Sequence, residues 1–375
     1  MLLGYEKIDF LHLPTPVERL DNISRDLGVE FYIKRDDLTP LAAGGNKLRK
    51  LEYFLKDAKD KGATFLLTVG GAQTNHGRLT LAVARKYGMK GAIVAVDKYP
   101  GELSANLLLD GMMGCDVWLK DPKDPKFRGL TEDEMLDMVV PDIIKHYEEL
   151  GEKVYYIPMG GSNELGILGY YECALELTSQ IRELGLDKKQ GTKKDGKIRV
   201  IDTVGSMGTY MGLQMAVINE NLPLHITGIG IMPYDEEAAK AGDIEKSTHA
   251  IRSYAVDYFK RVCRFYNLKK DGELLSDGVT EDDFDLRTEY DRGAYNNPVK
   301  EVREAMYYMA EKEAIIPDPC YTGKCFAGIL EMIKSGEIAQ GETVVMIHTG
   351  GFPGINTPFH RIEIEHEREH FVHVI

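Results

Sequence analysis

A lysine in a glycine-rich stretch is the first residue of this sequence whose type and setting suit covalent chemistry. Lys47 lies in the run GGNKLRK at residues 44–50. The glycines allow the backbone to approach a ligand closely, and a lysine in such a place forms an imine with a carbonyl compound when its pKa is lowered. Taken alone, the segment is better explained as a loop with a surface lysine, so other segments must support the chemistry.

A second segment, VGGAQTNHGR at residues 69–78, follows an apolar run and precedes a predicted helix. Gln73, Thr74, Asn75 and His76 would join the free amides of the helix N-terminus to bind a carboxylate or a phenolate. An ordinary helix start, with Thr74 or Asn75 as the capping residue, explains the segment equally well.

A third segment, VGSMGTYMG at residues 204–212, also connects a predicted strand to a predicted helix. Gly205, Ser206, Met207, Gly208 and Thr209 bring amides and hydroxyls together in a way that favours a bound phosphate. The segment lacks the Gly-Lys-Ser/Thr of a nucleotide-binding loop and the G-x-G-x-x-G of a dinucleotide site. We therefore predict phosphate binding here rather than a plain helix start.

Two segments near the C-terminal end of the sequence supply partners for a heterocyclic ring. Thr349 lies in IHTGGFPG at residues 347–354, and Tyr321 with Thr322 lies in DPCYTGK at residues 318–324. Their hydroxyls can hydrogen-bond a ring nitrogen or a leaving group. One lysine, one phosphate loop, one carboxylate loop and two ring partners are what an enzyme that uses pyridoxal phosphate requires.

The elements that must position these segments alternate between short apolar runs and longer helical patterns. Strands are predicted at residues 31–34, 64–69, 91–96, 116–119, 154–157, 199–204, 225–231 and 342–348, and helices at 47–61, 75–88, 103–113, 130–150, 164–184 and after 204 to about 219. Repeated β-α-β units predict an α/β fold of mostly parallel, open twisted sheets with helices on both faces. Ligands bind at the carboxyl ends of such strands, where the glycine-rich loops lie.

Composition excludes several classes of protein. The chain has 375 residues, a formal net charge of −14 and 43% hydrophobic residues, so it is a globular protein whose charge does not favour nucleic acid or an anionic membrane as a partner. The first residues do not read as a signal peptide, and a cytoplasmic location is the expectation. Five scattered cysteines predict neither a disulfide framework nor a zinc site.

Three stretches are expected to be exposed: residues 187–197, residues 235–246 and the His- and Glu-rich tail 361–375. A metal site in the tail would need ligands in a fixed frame, and we predict a solvated, partly ordered terminus instead.

Five segments together resemble D-cysteine desulfhydrases and 1-aminocyclopropane-1-carboxylate deaminases, which are tryptophan-synthase-β-like enzymes of fold type II. The segments are residues 32–40, 44–52, 73–76, 321–324 and 347–351. The resemblance runs from about residue 10 to 353 in the same order. It implies two open α/β domains with pyridoxal 5'-phosphate in the cleft between them: a large domain of residues 1–52 and 167–375, and a smaller inserted domain of residues 53–166. It also implies a homodimer.

The resemblance assigns roles by position. Lys47 matches the Schiff-base lysine, Asn75 the contact to the 3′-oxygen of the cofactor, and residues 205–209 the phosphate loop, with Lys50 as a second phosphate candidate. Thr349 and Thr322 fall near the pyridine nitrogen.

Tyr321 matches an active-site tyrosine, and Tyr295, displaced by one residue from the family position, is the best candidate for a second. Two departures concern the substrate. The deaminases carry Glu where this chain has Thr322. The threonine favours β-elimination, because a hydroxyl makes the ring a weaker electron sink than an acid does. Both groups usually carry Ser where this chain has Thr74.

The predicted function is α,β-elimination on a small amino acid, most simply D-cysteine to pyruvate, ammonia and hydrogen sulfide. Lys47 would be the base at Cα, and Tyr295 or Tyr321 would protonate the leaving group. Alternatives are deamination of 1-aminocyclopropane-1-carboxylate, elimination of sulfite from L-cysteate and, outside catalysis, a silent small-molecule binding protein.

Overall fold

The structure is a computed structural model that describes residues 1–121, 123–188, 194, 196–297 and 299–375. Its strands are β1 (Val17–Arg19), β2 (Glu30–Lys34), β3 (Phe65–Gly70), β4 (Lys90–Lys98), β5 (Asp116–Lys120), β6 (Val154–Ile157), β7 (Ile198–Val204), β8 (Leu224–Gly230), β9 (Lys269–Lys270), β10 (Glu273–Leu274), β11 (Asp285–Arg287) and β12 (Thr343–Ile347). Its helices are α1 (Asp21–Leu27), α2 (Lys47–Asp60), α3 (Asn75–Lys86), α4 (Ala105–Met112), α5 (Glu132–Glu149), α6 (Leu168–Glu183), α7 (Gly208–Glu220), α8 (Glu236–Ala241), α9 (Ile244–Tyr266), α10 (Lys300–Glu313), α11 (Thr322–Lys334) and α12 (Pro358–Arg368).

The strands of the described residues form two main sheets. The larger has the order β1-β2-β12-β7-β8-β11, and the smaller has the order β5-β4-β3-β6. Every pairing in the two sheets is parallel except that of β1 with β2. The mostly parallel α/β architecture predicted from the sequence is confirmed.

The central strands are buried on both faces, which is why their sequences are nearly continuous apolar runs. All residues of β3, β7 and β12 are buried. Helices α6, α7 and α9 cover one face of the larger sheet, and α10 with α11 covers the other. Because both faces are packed, the carboxyl ends of the strands are the natural place for a ligand site.

The strands of the smaller sheet all lie between residues 65 and 157, and those of the larger sheet lie outside that range. Helix α2 crosses the predicted boundary between residues 52 and 53, where the inserted domain was predicted to begin. The predicted domain boundaries stay predictions.

Two of the stretches predicted to be exposed are largely exposed, as expected, but they are also helical. The stretch 235–246 forms helix α8 and the first turn of α9, since Asp235 and Asp243 cap them by accepting hydrogen bonds from backbone amides. The tail continues helix α12 to Arg368, where Glu367 pairs with Arg303 at 2.7 Å. Most of the remaining stretch, residues 187–197, lies outside the described residues.

The five cysteines are free and buried. Within the described ranges, every helix is either too short or too polar to serve as a transmembrane span. The same ranges contain no cluster of three or more His, Cys, Asp or Glu residues arranged to hold a metal ion.

Candidate active site

A cavity of about 630 Å³ lies at the carboxyl ends of β3, β7, β8 and β12. Most of the residues predicted to do chemistry line it, although they come from segments far apart in the sequence. They are Lys47, Thr74, Asn75, His76, Gly205, Ser206, Met207, Thr209, Tyr295, Tyr321 and Thr349. Lys50, Gly208, Gln73 and Thr322 do not line this cavity.

Lys47 is the first residue of α2, and its side chain faces the cavity. Its Nζ donates a hydrogen bond to Asn46 Oδ1 at 3.2 Å. Burial lowers the pKa of Lys47 to about 8, and the negative charge of Asp202 partly offsets this. A useful fraction of the amine is therefore neutral near physiological pH, as a nucleophile or a base requires.

The loop that leads into α2 has an unusual backbone. Leu41, Ala42 and Ala43 have φ values of 75°, 42° and 65°, and Gly44 and Gly45 continue the positive run at 65° and 136°. Positive φ is uncommon in residues other than glycine and costs free energy, so surrounding contacts must hold such a run.

Asp202 is a buried acid in the middle of β7, three residues before the predicted phosphate loop. Neither carboxylate oxygen has a hydrogen-bond partner among the described residues. Burial raises the pKa of Asp202 to about 7, and the charges of Lys47 and Lys50 oppose that rise. The acid and the two lysines thus form one electrostatic group beneath the cavity.

Ser206 and Thr209 of the predicted phosphate loop have partners from other segments. Ser206 Oγ lies 2.8 Å from Ser162 Oγ, and Thr209 Oγ1 accepts a hydrogen bond from Asn46 at 3.0 Å. Gly160 approaches so closely that a Cβ there would lie 2.1 Å from Ser206 Oγ. The three hydroxyls and the start of α7 therefore converge on one small space.

Lys50 lies behind this space and is fully buried. Its Nζ donates to Gly160 O at 3.0 Å and to Ser162 Oγ at 3.4 Å, and no carboxylate of the described residues pairs with it. Burial and the nearby charge of Lys47 hold its pKa well below the usual value. A Cβ at Gly208 would lie 2.8 Å from this nitrogen, so glycine keeps the lysine close to the loop.

The segment 73–76 begins α3 as predicted. Thr74 caps the helix by accepting a hydrogen bond from the Gly77 amide at 3.2 Å. Burial, with the charges of Lys47 and Lys50, lowers the pKa of His76, so the imidazole is neutral. Gln73 accepts a hydrogen bond from the backbone of Asn106 at 2.9 Å and lines a neighbouring cavity.

The opposite wall of the cavity carries the two tyrosines. The hydroxyls of Tyr295 and Tyr321 lie within hydrogen-bonding distance of each other. Tyr295 as a whole residue is 48% exposed, whereas loss of solvent around the hydroxyls raises the pKa of both phenols. Both hydroxyls are therefore protonated at neutral pH.

Thr322 and Thr349 were both predicted near a ring nitrogen, but they are placed differently. Thr349 lines the cavity, and its carbonyl accepts a hydrogen bond from the Asn46 amide at 3.0 Å. The Thr322 hydroxyl donates to Asp318 Oδ1 at 2.8 Å and accepts from the Asp318 amide at 2.8 Å. Thr322 therefore braces its own loop, and Thr349 is the better placed of the two.

Some residues near the site were not singled out from the sequence. Asn46 adjoins the predicted lysine, and Asp202 is a charged residue inside an apolar run, so the sequence contains a signal for both residues. The outer end of the cavity is lined by charged residues with no recognisable motif: Asp97, Glu132, Glu236 and Lys240.

These residues fit pyridoxal phosphate. The buried amine of Lys50, with which no carboxylate of the described residues pairs, lies beside three hydroxyls and a helix N-terminus, which suits a phosphate. A lysine of lowered pKa and Thr349 line the same cavity. The cavity volume also exceeds what one small amino acid requires.

Comparison with known proteins agrees with the site. Residues 8–350 match the family described as pyridoxal-phosphate dependent enzyme. A putative 1-aminocyclopropane-1-carboxylate deaminase of Pyrococcus abyssi is 34% identical over 95% of this chain and 94% of its own length. A D-cysteine desulfhydrase of Salmonella typhimurium is 32% identical over 94% of this chain and 96% of its own length. A solved structure described as an ACC deaminase homologue has a TM-score of 0.74 at 32% identity, over 95% of this chain and 94% of that one.

The fold and the cavity define a fold type II, tryptophan-synthase-β-like enzyme that uses pyridoxal phosphate. The chain belongs to the pyridoxal-phosphate dependent enzyme family. Within it the chain is a lyase of the group that contains 1-aminocyclopropane-1-carboxylate deaminases and D-cysteine desulfhydrases. The predicted family, cofactor and enzyme class are confirmed, and a silent binding protein is the less favoured alternative.

Proposed function

We propose that the chain catalyses α,β-elimination on D-cysteine, giving pyruvate, ammonia and hydrogen sulfide. The observation that carries the proposal is the arrangement of a base and an acid pair in one cavity. Lys47, whose pKa is lowered to about 8, faces the same space as the protonated hydroxyls of Tyr295 and Tyr321. An elimination needs a base at Cα and an acid at the leaving group.

The residues of this chain would divide the work as follows. Lys50, Ser206, Thr209 and the loop amides would hold the phosphate, and Lys47 the aldehyde end of the cofactor. When bound, pyridoxal phosphate supplies the electron sink that makes the Cα proton acidic.

Lys47 Nζ would take the Cα proton, and Tyr321 or Tyr295 would give a proton to the departing thiolate. The carbon–sulfur bond breaks as its electrons leave with sulfur, and 2-aminoacrylate is released. One water then converts this product to pyruvate and ammonia. Thr74, Gln73, Asn75 and His76, at the start of α3, would orient the substrate carboxylate.

Two features in and around the cavity favour D-cysteine over the alternatives. Thr322 stands where the deaminases carry an acid, and its hydroxyl is engaged by Asp318, so the ring would be the weaker sink that β-elimination tolerates. The outer end of the cavity has three acidic residues, Asp97, Glu132 and Glu236, and one basic residue, Lys240. The excess negative charge disfavours binding of the sulfonate of L-cysteate.

Deamination of 1-aminocyclopropane-1-carboxylate is the second candidate. Relatives named as putative deaminases of that substrate are 32–35% identical to this chain, which is why the substrate belongs in any test. In that reaction Lys47 would act in the same cavity, and the product would be 2-oxobutanoate.

The test is a comparison of kcat/KM for D-cysteine, L-cysteine, L-cysteate and 1-aminocyclopropane-1-carboxylate on the cofactor-loaded enzyme, with pyruvate and 2-oxobutanoate measured separately. We expect D-cysteine to exceed the others by about tenfold or more, since one well-placed polar contact is worth that ratio. Faster formation of 2-oxobutanoate than of pyruvate would assign the deaminase activity instead.

Lys47→Ala is the control variant. We expect it to lose at least about 10²–10⁴-fold in kcat, the usual contribution of a general base, together with the absorbance of the covalently held cofactor. A variant that keeps both the colour and full turnover would remove Lys47 from the proposal.

The two-domain division stated above, a homodimeric assembly and a cytoplasmic location complete the proposal. The resemblance supports the homodimer, and the resemblance together with the separation of the two sheets along the chain supports the two-domain division. Light scattering on the purified holoenzyme tests the assembly.

A further inference from the structure

Arg78 is a buried cation that no step of the proposed reaction uses. It lies in the first turns of α3 and is 0% exposed. No carboxylate of the described residues forms an ion pair with it within 4 Å, although the buried acid Asp110 is near enough to act on its charge. A cation buried in this way needs a structural or functional reason, because its desolvation is costly.

The guanidinium donates hydrogen bonds to the loop that leads to Lys47. It donates to Ala42 O and, at 3.2 Å, to Gly44 O. Both carbonyls belong to the run of positive φ values at residues 41–45. Arg78 follows a strand of the smaller sheet, whereas this loop follows β2 of the larger sheet, so the contact joins the two sheets across the cleft.

The same guanidinium also reaches the amide of Asn75. Asn75 Oδ1 accepts hydrogen bonds from Arg78 at 3.3 Å and from Asn106 Nδ2 at 3.0 Å. Two donors on the oxygen fix the orientation of the amide, because an inverted amide would set its own donors against them. The Asn75 nitrogen is thereby directed away from them, free to donate to another group.

We infer that Arg78 is a positioning residue that sets two cofactor contacts at once, the backbone before Lys47 and the amide of Asn75. Arg is suited to this because its planar fork offers several donors in fixed directions, whereas Lys offers a single point charge. The inference rests on the proposed assignment of Lys47 and Asn75 as cofactor contacts.

The same helix provides a matched control. Arg85 Nε donates to Met113 O at 2.8 Å, and its other end reaches Gly114 O. It therefore also braces a loop through two backbone carbonyls, but it is exposed and remote from the cavity.

The experiment compares Arg78→Lys with Arg85→Lys. The first readout uses the apoprotein: hydrogen exchange of the Gly44, Gly45 and Asn46 amides, each of which donates a hydrogen bond in the structure. We expect these amides to exchange about tenfold faster in Arg78→Lys and unchanged in Arg85→Lys, because each lost bond to a charged group is worth roughly that factor or more.

The second readout is the dissociation constant of pyridoxal phosphate. We expect it to rise about tenfold to hundredfold in Arg78→Lys. Unchanged exchange and unchanged affinity in a folded Arg78→Lys protein would overturn the inference.

If Arg78→Lys does not fold, Asn106→Ala decides the matter, since it removes the other donor to Asn75 Oδ1. It should weaken cofactor affinity without changing exchange in the loop, and full affinity would count against the positioning of Asn75. Failure of the proposed function is distinguishable, because a Lys47→Ala protein that retains covalent cofactor would discard the role of Lys47 and leave the exchange result standing.

Discussion

The cavity has two walls that are built from different chemistry. The lysine wall (residues 41–50, 73–78 and Asp202) contains ionisable groups: the half-buried Lys47, the buried Lys50 and the buried Asp202, whose carboxyl has no hydrogen-bond partner among the described residues. The tyrosine wall (residues 291–295 and 318–324) faces the cavity with neutral hydroxyls. One wall is suited to take a proton and hold an anion, and the other to give a proton.

The two walls are nevertheless braced in a similar way. Arg78 donates to two backbone carbonyls of the lysine wall, and Lys324 donates to three carbonyls, those of Ile231, Asp291 and Ala294, at 2.6–2.8 Å. Both cations are buried, and neither forms an ion pair within the described residues. Loops that carry reacting groups are thus held by charge-assisted bonds to their backbone rather than by side-chain pairs.

The largest effect in the tyrosine wall is expected from Lys324→Met. Three buried carbonyls lose their donor, so we expect the free energy of unfolding to fall by about 3 kcal/mol. Because the loop before Tyr295 loosens, kcat should fall while cofactor affinity is kept, whereas Arg78→Lys is expected to weaken cofactor affinity. Urea unfolding and steady-state kinetics measure the two quantities.

Lys334→Met, at the exposed end of the same helix, is the matched control and should change neither quantity. If Lys324→Met weakened cofactor binding as strongly as it lowered kcat, the two walls would not act separately.

A second effect concerns charge in the lysine wall. The carboxylate of Asp202 favours the protonated form of Lys47, so Asp202→Asn should move the pKa of Lys47 below its value of about 8. The rate at which the apoenzyme captures pyridoxal phosphate covalently depends on neutral lysine, and its midpoint should shift to lower pH.

The pKa of Asp202 is itself raised to about 7. The carboxyl is therefore mostly neutral below that pH, and the difference between wild type and variant should be largest above it. Asp257→Asn, an exposed acid of α9, is the control. A midpoint that moved upward in Asp202→Asn would contradict the electrostatic account.

The smallest effects separate the two threonines. Thr322→Val removes the hydroxyl that bridges the amide and carboxyl of Asp318, and we expect a loss of about 1–2 kcal/mol in stability with the cofactor absorbance unchanged. Thr349→Val should change that absorbance with little loss of stability. The reverse pattern would make Thr322 the ring contact.

Most of the fold could be predicted from local sequence, because parallel strands buried on both faces must be continuous apolar runs. Strands β3, β7 and β12 were predicted for that reason, and β2, β4, β5, β6 and β8 were predicted from short runs of apolar and β-branched residues. The short edge strand β1 and the strand β11 carry too few apolar residues to be recognised. Helix α9 was not predicted although Ile251, Ala255 and Phe259 follow its buried face, because its acidic start is typical of an exposed insertion.

The site was predictable only as far as residue type reveals chemistry. Lys47 and the glycine-rich loops could be found because function requires those residue types. The carbonyl partners of Arg78 and Lys324 could not, since bonds between a side chain and a distant backbone leave no pattern in the sequence. The hydrogen bonds between Thr322 and Asp318 are local, and their spacing of four residues was a signal that was available.

The position of β12 in the larger sheet has a consequence for the order in which the protein is made. This strand, at residues 343–347, pairs with β2 at residues 30–34 on one side and with β7 at residues 198–204 on the other. During synthesis the early half of the sheet must wait, with unpaired strand edges, for more than one hundred residues after β7. Such edges bind chaperones and aggregate. We therefore expect competence to capture the cofactor to appear only after Thr349 has been synthesised.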